Sequence, residues 1–168
     1  HADPNHPTLM ARSLQELEDQ IDEAIAAVPA LLIKNTEGAA LEALALADLR
    51  ISETGIDAKG AAFVDYTPDY KKAKTKKKRY TGYVNFMDTG RMLASTATGF
   101  ERIAPTERSI SNGKVRIVFD GRDQLTRDKL KGNNKKRPGF LNPSASELDT
   151  VTESANDNMR FALEQIFK

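Results

Sequence analysis

The densest chemistry-bearing stretch is Lys71-Lys72-Ala73-Lys74-Thr75-Lys76-Lys77-Lys78-Arg79, which places seven positive charges in nine residues. Tyr66, Tyr70, Tyr80 and Tyr83 flank it. Ammonium and guanidinium groups neutralise phosphates and release counterions, and phenol rings stack on bases, so the pattern suits a nucleic-acid surface. It equally suits docking to an acidic protein surface, or a solvated loop extended by its own repulsion. In an isolated subunit the run is expected to be mobile. Ala73 is its one apolar residue, and ordering the backbone costs about 1–2 kcal/mol per residue. A second basic stretch, Lys129–Arg137, would extend a nucleic-acid surface.

Enzyme chemistry is harder to find. There is no Cys, which removes thiolate nucleophiles, disulfides and thiolate metal sites. The two histidines, His1 and His6, both fall at the extreme N-terminus. The sequence holds neither a Gly-rich phosphate loop nor a nucleophile-elbow serine. Asp65, Asp69 and Asp88 come nearest to a hard-metal cluster, but their spacing matches no ligand loop, and solvated loop aspartates account for them. The expectation is a non-enzymatic protein with no cofactor and no metal.

The charge is unevenly spread. Residues 1–64 hold 4 Lys/Arg against 11 Asp/Glu, residues 65–140 hold 19 against 8, and residues 141–168 hold 2 against 5. A basic middle between acidic ends favours contacts between subunits of opposite local charge, or a face turned to a polyanion. No unbroken apolar run approaches the roughly 20 residues that span a bilayer, and the N-terminus shows neither a basic nor an apolar signal region. Residues 1–12 are expected to be a disordered leader, with Met10 a candidate start. Residues 13–168 are expected to form a single domain with a basic loop at about 65–88.

Periodicity supplies the elements that would carry these residues. Ser13 and Glu16 form a capping box, and Leu14, Leu17, Ile21, Ala24, Ile25 and Val28 share one helical face. Pro29 is expected to break or kink that helix. A second helix is expected over Ala30–Glu53, with Leu41, Leu44, Ala45 and Leu49 as its core stripe and Gly55 as its cap. Residues 55–90 read as a long loop, followed by a short helix around Gly90–Ser95. Strands are expected at Ala97–Ala104 and Lys114–Asp120, joined as a hairpin through Ser111-Asn112-Gly113. A short helix over Asp123–Lys131 should end at Gly132-Asn133-Asn134. The last helix starts at a capping box made by Ser144 and Glu147 and runs to the C-terminus on Leu148, Val151, Ala155, Met159, Ala162, Leu163 and Ile166. The fold class is therefore α+β: N-terminal helices and a C-terminal helix packed on a small antiparallel β-sheet, with a long basic loop.

Several segments in this order resemble a known family. They are Gly55-Ile56-Asp57-Ala58-Lys59-Gly60, then Phe63, Tyr66 and Tyr70-Lys71-Lys72. Met87-Asp88-Thr89-Gly90-Arg91-Met92-Leu93-Ala94-Ser95 comes next, and later Arg137-Pro138-Gly139-Phe140-Leu141-Asn142-Pro143-Ser144. The sequence resembles the tail-completion, or virion-morphogenesis, proteins of tailed bacteriophages and prophage-like particles. These typically show two N-terminal helices, a basic loop, a Thr-Gly-x-Leu-x-x-Ser-like segment, strands, an Arg-Pro-x-Phe-Leu-like segment and a closing helix. The resemblance covers about residues 13–167. Gly139 is a departure, since many relatives run Arg-Pro-Phe.

The resemblance implies a structural virion protein of the neck or tail terminus, assembled in the bacterial host cytoplasm. It would form a homo-oligomeric ring, a hexamer or dodecamer, joining the head connector on the portal side to tail-tube or tail-terminator proteins, with no membrane involved. Lys71, Lys72, Lys74, Lys76, Lys77, Lys78 and Arg79 would meet packaged DNA or a neighbouring ring. Asp88, Thr89, Gly90, Arg91, Leu93, Ser95, Arg137, Pro138, Phe140 and Leu141 would be structural. Asp88 can cap a helix, Met92 and Leu93 can fill core positions, and Phe140 and Leu141 can anchor the chain ahead of the last helix. The alternative reading is a nucleic-acid-binding protein that uses Lys71–Arg79 and Lys129–Arg137 as its main surface.

Overall fold

The computed structural model describes residues 14–78, 82–84, 95–96 and 99–166. Its elements are α1 (Leu14–Thr54), α2 (Pro68–Lys76), β1 (Ser95–Thr96), β2 (Gly99–Phe100), β3 (Ile103–Ser111), β4 (Lys114–Gly121), α3 (Gln124–Lys136) and α4 (Ala145–Ile166). The class is α+β, as the periodicities imply. The expected leader, the Ser13 cap and most of the expected helix around Gly90–Ser95 lie outside the described residues.

α1 is a single helix with Pro29 inside it, so Pro29 does not break the chain into the two expected helices. Proline removes one amide donor and crowds the preceding turn, at a cost of about 3 kcal/mol. Strong helix formers on both sides, Ala26, Ala27, Ala30, Leu31 and Leu32, favour continuation. Gly55 caps the far end in the left-handed region (φ +66°). A Cβ there would fall 2.6 Å from the Tyr83 ring, so both the conformation and the space call for glycine.

α4 lies antiparallel along α1. Asn35 Nδ2 donates to the Ala155 carbonyl at 2.9 Å, and Arg50 Nε meets Glu147 Oε1 at 2.8 Å. The Ser144–Glu147 box forms in both directions: the Ser144 amide donates to Glu147 Oε2 at 2.7 Å, and the Glu147 amide donates to Ser144 Oγ at 3.3 Å. The core gathers where these helices meet the sheets. Ile51, Phe100, Ile103 and Phe140 are buried together, with Leu41, Leu44, Phe63, Phe119, Leu130 and Leu141 packed around them. The expected α1 stripe is thus half right. Leu41 and Leu44 pack on the core, but Ala45 and Leu49 are exposed and Ala47 and Ile51 take the buried positions.

β3 and β4 form the expected hairpin, with Ser111 opposite Lys114. Asn112 and Gly113 both take positive φ, the geometry that matches the twist of paired strands. The first long strand sits later than Ala97–Ala104, because a two-residue turn forces both strands to abut it directly. The stretch Thr106–Ile110 therefore belongs to β3, and a register shift falls between Pro105 and Glu107. The bidentate Arg108–Glu37 pair ties β3 to α1, with Nη2 3.0 Å from Oε1.

α3 continues past its expected stop at Gly132-Asn133-Asn134 to Lys136. Asp123 caps its start by accepting from the Thr126 amide at 2.8 Å. Lys135 and Lys136 occupy the last turn, where the helix dipole favours cations.

By length and composition α1 also passes for a membrane-crossing helix, its most apolar 18 residues averaging a hydropathy of 1.2. Asn35 and Glu37, in its middle, bond to α4 and β3.

Candidate functional site

The basic run is not a loop over its described part. Residues 71–76 belong to α2, which begins with Pro68 in its first turn and Asp69 close behind and ends with Lys74 and Lys76. Proline is pre-set for a helix start, and the acid-first, base-last order suits the macrodipole. Two further contacts offset the self-repulsion that predicted mobility. Lys71 Nζ pairs with Asp65 at 2.7 Å. Lys74, only 1% exposed, sets its Nζ 4.5 Å from the Tyr66 ring centroid and 3.1 Å from the Tyr66 hydroxyl. An ammonium over a phenol ring is attracted by the ring's negative face. Lys74 is therefore part of the packing rather than of an interaction surface. Lys72, Lys76, Lys77 and Lys78 are exposed, and Arg79 lies outside the described residues.

Tyr66 is the hub of this region. Its ring meets Tyr70 edge-on, with centroids 5.1 Å apart at 69°. The Arg137 guanidinium lies 6.0 Å from the same ring, and its Nη2 donates to the Val64 carbonyl at 2.8 Å. The second basic stretch is thereby brought against the first. Tyr66, Thr67 and Tyr70 at the start of α2, with Asn133, Lys136 and Arg137 at the end of α3, line a cleft of about 530 Å³. Asp65 at its edge ionises more readily than an ordinary aspartate, because Lys71 and the Tyr66 amide hydrogen-bond to it. Asp65 and Asp69 belong to no group of three metal-ligating side chains among the described residues, and Asp88 lies outside the described residues.

The family-like segments divide. Asp88, Thr89, Gly90, Arg91 and Leu93 lie outside the described residues, and Ser95 pairs with Phe100 across β1 and β2. Arg137 caps α3 through its amide to the Asn133 carbonyl at 2.8 Å. Pro138 is exposed, Phe140 is 3% exposed in the core and Leu141 packs beside it. Gly139 takes φ +70° and a Cβ would sit 2.6 Å from Asn142 Nδ2, so glycine makes the tight turn just before the buried Phe140. Its amide donates to Asn134 Oδ1 at 2.9 Å.

Sequence reasoning missed Arg50. Besides Glu147 it donates to the Ile56 carbonyl at 2.7 Å and the Asn142 carbonyl at 2.9 Å, clamping α1, the following loop and the turn before α4. Burial pushes the Glu147 carboxyl up, but hydrogen bonds from Arg50 and the Ser144 amide outweigh it, and Glu147 ionises below the ordinary range. A lone arginine between Lys34 and Lys59 was the available signal.

The other notable surface is apolar. Stepping along the antiparallel pair from Asn35–Ala155 brings the end of α4 beside about residue 24 of α1, and Ala24 is buried there. The earlier turns of α1 extend beyond it. Leu14 is 81% exposed and Ile25 64%, and Leu17 and Ile21 are also exposed, as is Phe161 on α4. No family model, curated protein or solved structure matches this chain.

Proposed function

We propose that this chain is a non-enzymatic structural protein of a tailed-phage neck or tail terminus, which assembles into a ring by docking copies of itself. The observation that carries the self-docking is the exposed apolar stripe at the start of α1, Leu14, Leu17, Ile21 and Ile25. Full burial of one such side chain is worth about 1.5–3 kcal/mol, and a contiguous stripe of four is the mark of an interaction surface. Its charge selects the geometry of contact. Glu16, Glu18, Asp19, Asp22 and Glu23 share this segment, and no Lys or Arg falls between residues 14 and 33. Pairing two such segments face to face would oppose like charges. Docking one on the basic middle of the next copy opposes unlike charges, and such head-to-tail contacts generate rings when the rotation from copy to copy closes. The phage context is supported by the family-like segments, among which the Arg137–Leu141 turn serves packing.

Sedimentation velocity of the purified chain over a range of concentrations, beside an Ile21→Lys/Ile25→Lys variant, tests the assembly. The natural chain is expected to form a closed oligomer, and the variant to be monomeric with an unchanged circular dichroism spectrum. A natural chain that is monomeric at its highest soluble concentration would overturn the self-docking. Absence of the chain from purified particles would overturn the virion reading.

A further inference from the structure

We propose that the cleft between α2 and the end of α3 is a binding site for single-stranded nucleic acid. The inference does not rest on the assembly reading, which draws on the apolar stripe of α1, although the cleft lies within the basic middle that the assembly reading uses as an acceptor. A cleft of about 530 Å³, within the size range of ligand pockets, is lined by Asp65, Tyr66 and Tyr70 on one side and by Lys136 and Arg137 of the second basic stretch on the other, and the Asp65 carboxylate is already paired with Lys71. Aromatic side chains lie between the cations. Tyr66 is committed to Lys74 and lies near Arg137, which makes it a rigid floor. Tyr70, one helical turn further on, is 41% exposed beside it and presents a ring at the cleft mouth.

The α3 wall supplies the phosphate contact, because Lys136 lines that side of the cleft together with Arg137. Lys77 caps α2 and Lys78 follows it at φ +53°; both are exposed and lie outside the cleft lining. A strand entering the cleft would put a base on Tyr70 and a flanking phosphate on Lys136. Stacking on an aromatic ring beside basic side chains is the way unpaired strands are held without sequence preference. A duplex keeps its base faces stacked internally and offers the cleft only its sugar–phosphate ridges, leaving Tyr70 without a partner base. An acidic polypeptide would satisfy the lysines but not the ring.

Fluorescence anisotropy with a labelled oligothymidylate, its matched duplex and polyglutamate separates these occupants. The single strand is expected to bind at least tenfold tighter than either competitor and to weaken steeply with salt. Tyr70→Leu should weaken it at least fivefold with an unchanged melting temperature. Lys136→Glu should weaken it and flatten its salt dependence, whereas Lys114→Glu at the hairpin turn should leave it within twofold. Equal or tighter duplex binding would overturn the proposal, as would parity with polyglutamate or a Tyr70→Leu variant that binds like the natural chain.

Discussion

The two halves of α1 carry the same kind of apolar periodicity and meet opposite fates. In the C-terminal half Ala47 and Ile51 are completely buried, and Arg50 locks three other segments in place. In the N-terminal half Leu14, Leu17, Ile21 and Ile25 repeat at helical spacing and stay exposed among the described residues, where Ala24 is the buried position. A periodic stripe shows which face of a helix is apolar. It does not show whether that face is covered by the same chain or by another. The difference comes from the later elements of the chain: β2, β3, the Arg137–Leu141 turn and the start of α4 all return to the C-terminal half.

Substitutions can test this contrast. The largest effect is expected at Phe140, which covers the buried half. Phe140→Ala should lose about 3–5 kcal/mol in denaturant melting, and a loss below about 1 kcal/mol would show that the ring is not part of the core. Arg50→Met comes next. It retains much of the stem but removes three charge-assisted hydrogen bonds around Glu147, with an expected loss of about 1.5–3 kcal/mol. Because Glu147 ionises below its ordinary range when folded, this contribution is present above the unfolded carboxylate value. The Glu147 share fades as pH falls through the folded value, so the gap between the variant and the natural chain should narrow in strong acid, while the share due to the Ile56 and Asn142 carbonyls stays.

Asp48 sharpens the comparison with an effect of the opposite sign. It sits in the packed half, and burial raises its carboxyl to about 6. At pH 7.5 it is charged in both states, so desolvation opposes folding in full. As pH falls through about 6 the folded form takes up a proton and stability rises, until the unfolded form does the same near its ordinary value. Asp48→Asn should therefore raise the melting temperature at pH 7.5, and the gain should disappear near pH 4. A gain independent of pH would place its cause elsewhere. The smallest effect is expected in the open half. Leu17→Ser with Ile21→Ser should change the stability of the monomer by less than about 0.5 kcal/mol per site. A loss of several kcal/mol would show that the stripe is covered within the monomer.

Local interactions made much of the fold legible in the sequence. The Ser144–Glu147 box, the Asn112-Gly113 turn and the Gly55 cap each depend on residues a few positions apart, and all three form as their chemistry dictates. Readings failed where a distant partner or a competing propensity decided the outcome. Helix propensity on both sides carried α1 through Pro29. Tyr66 and Asp65 drew a repulsive lysine run into α2, and Asn134 bonded to the turn beyond α3 rather than ending the helix.

The candidate site divides along the same line. The sequence alone established that the chain is α+β, that its middle is basic, and that lysines and tyrosines interleave there. The tertiary structure decided which of those lysines are available. Lys74, indistinguishable from its neighbours by composition, is the one buried against Tyr66. Lys136 and Arg137, more than 50 residues away in the chain, complete the cleft. Charge and aromatic content are properties of the residues themselves, whereas burial and convergence depend on packing between segments far apart in sequence, which no local pattern encodes.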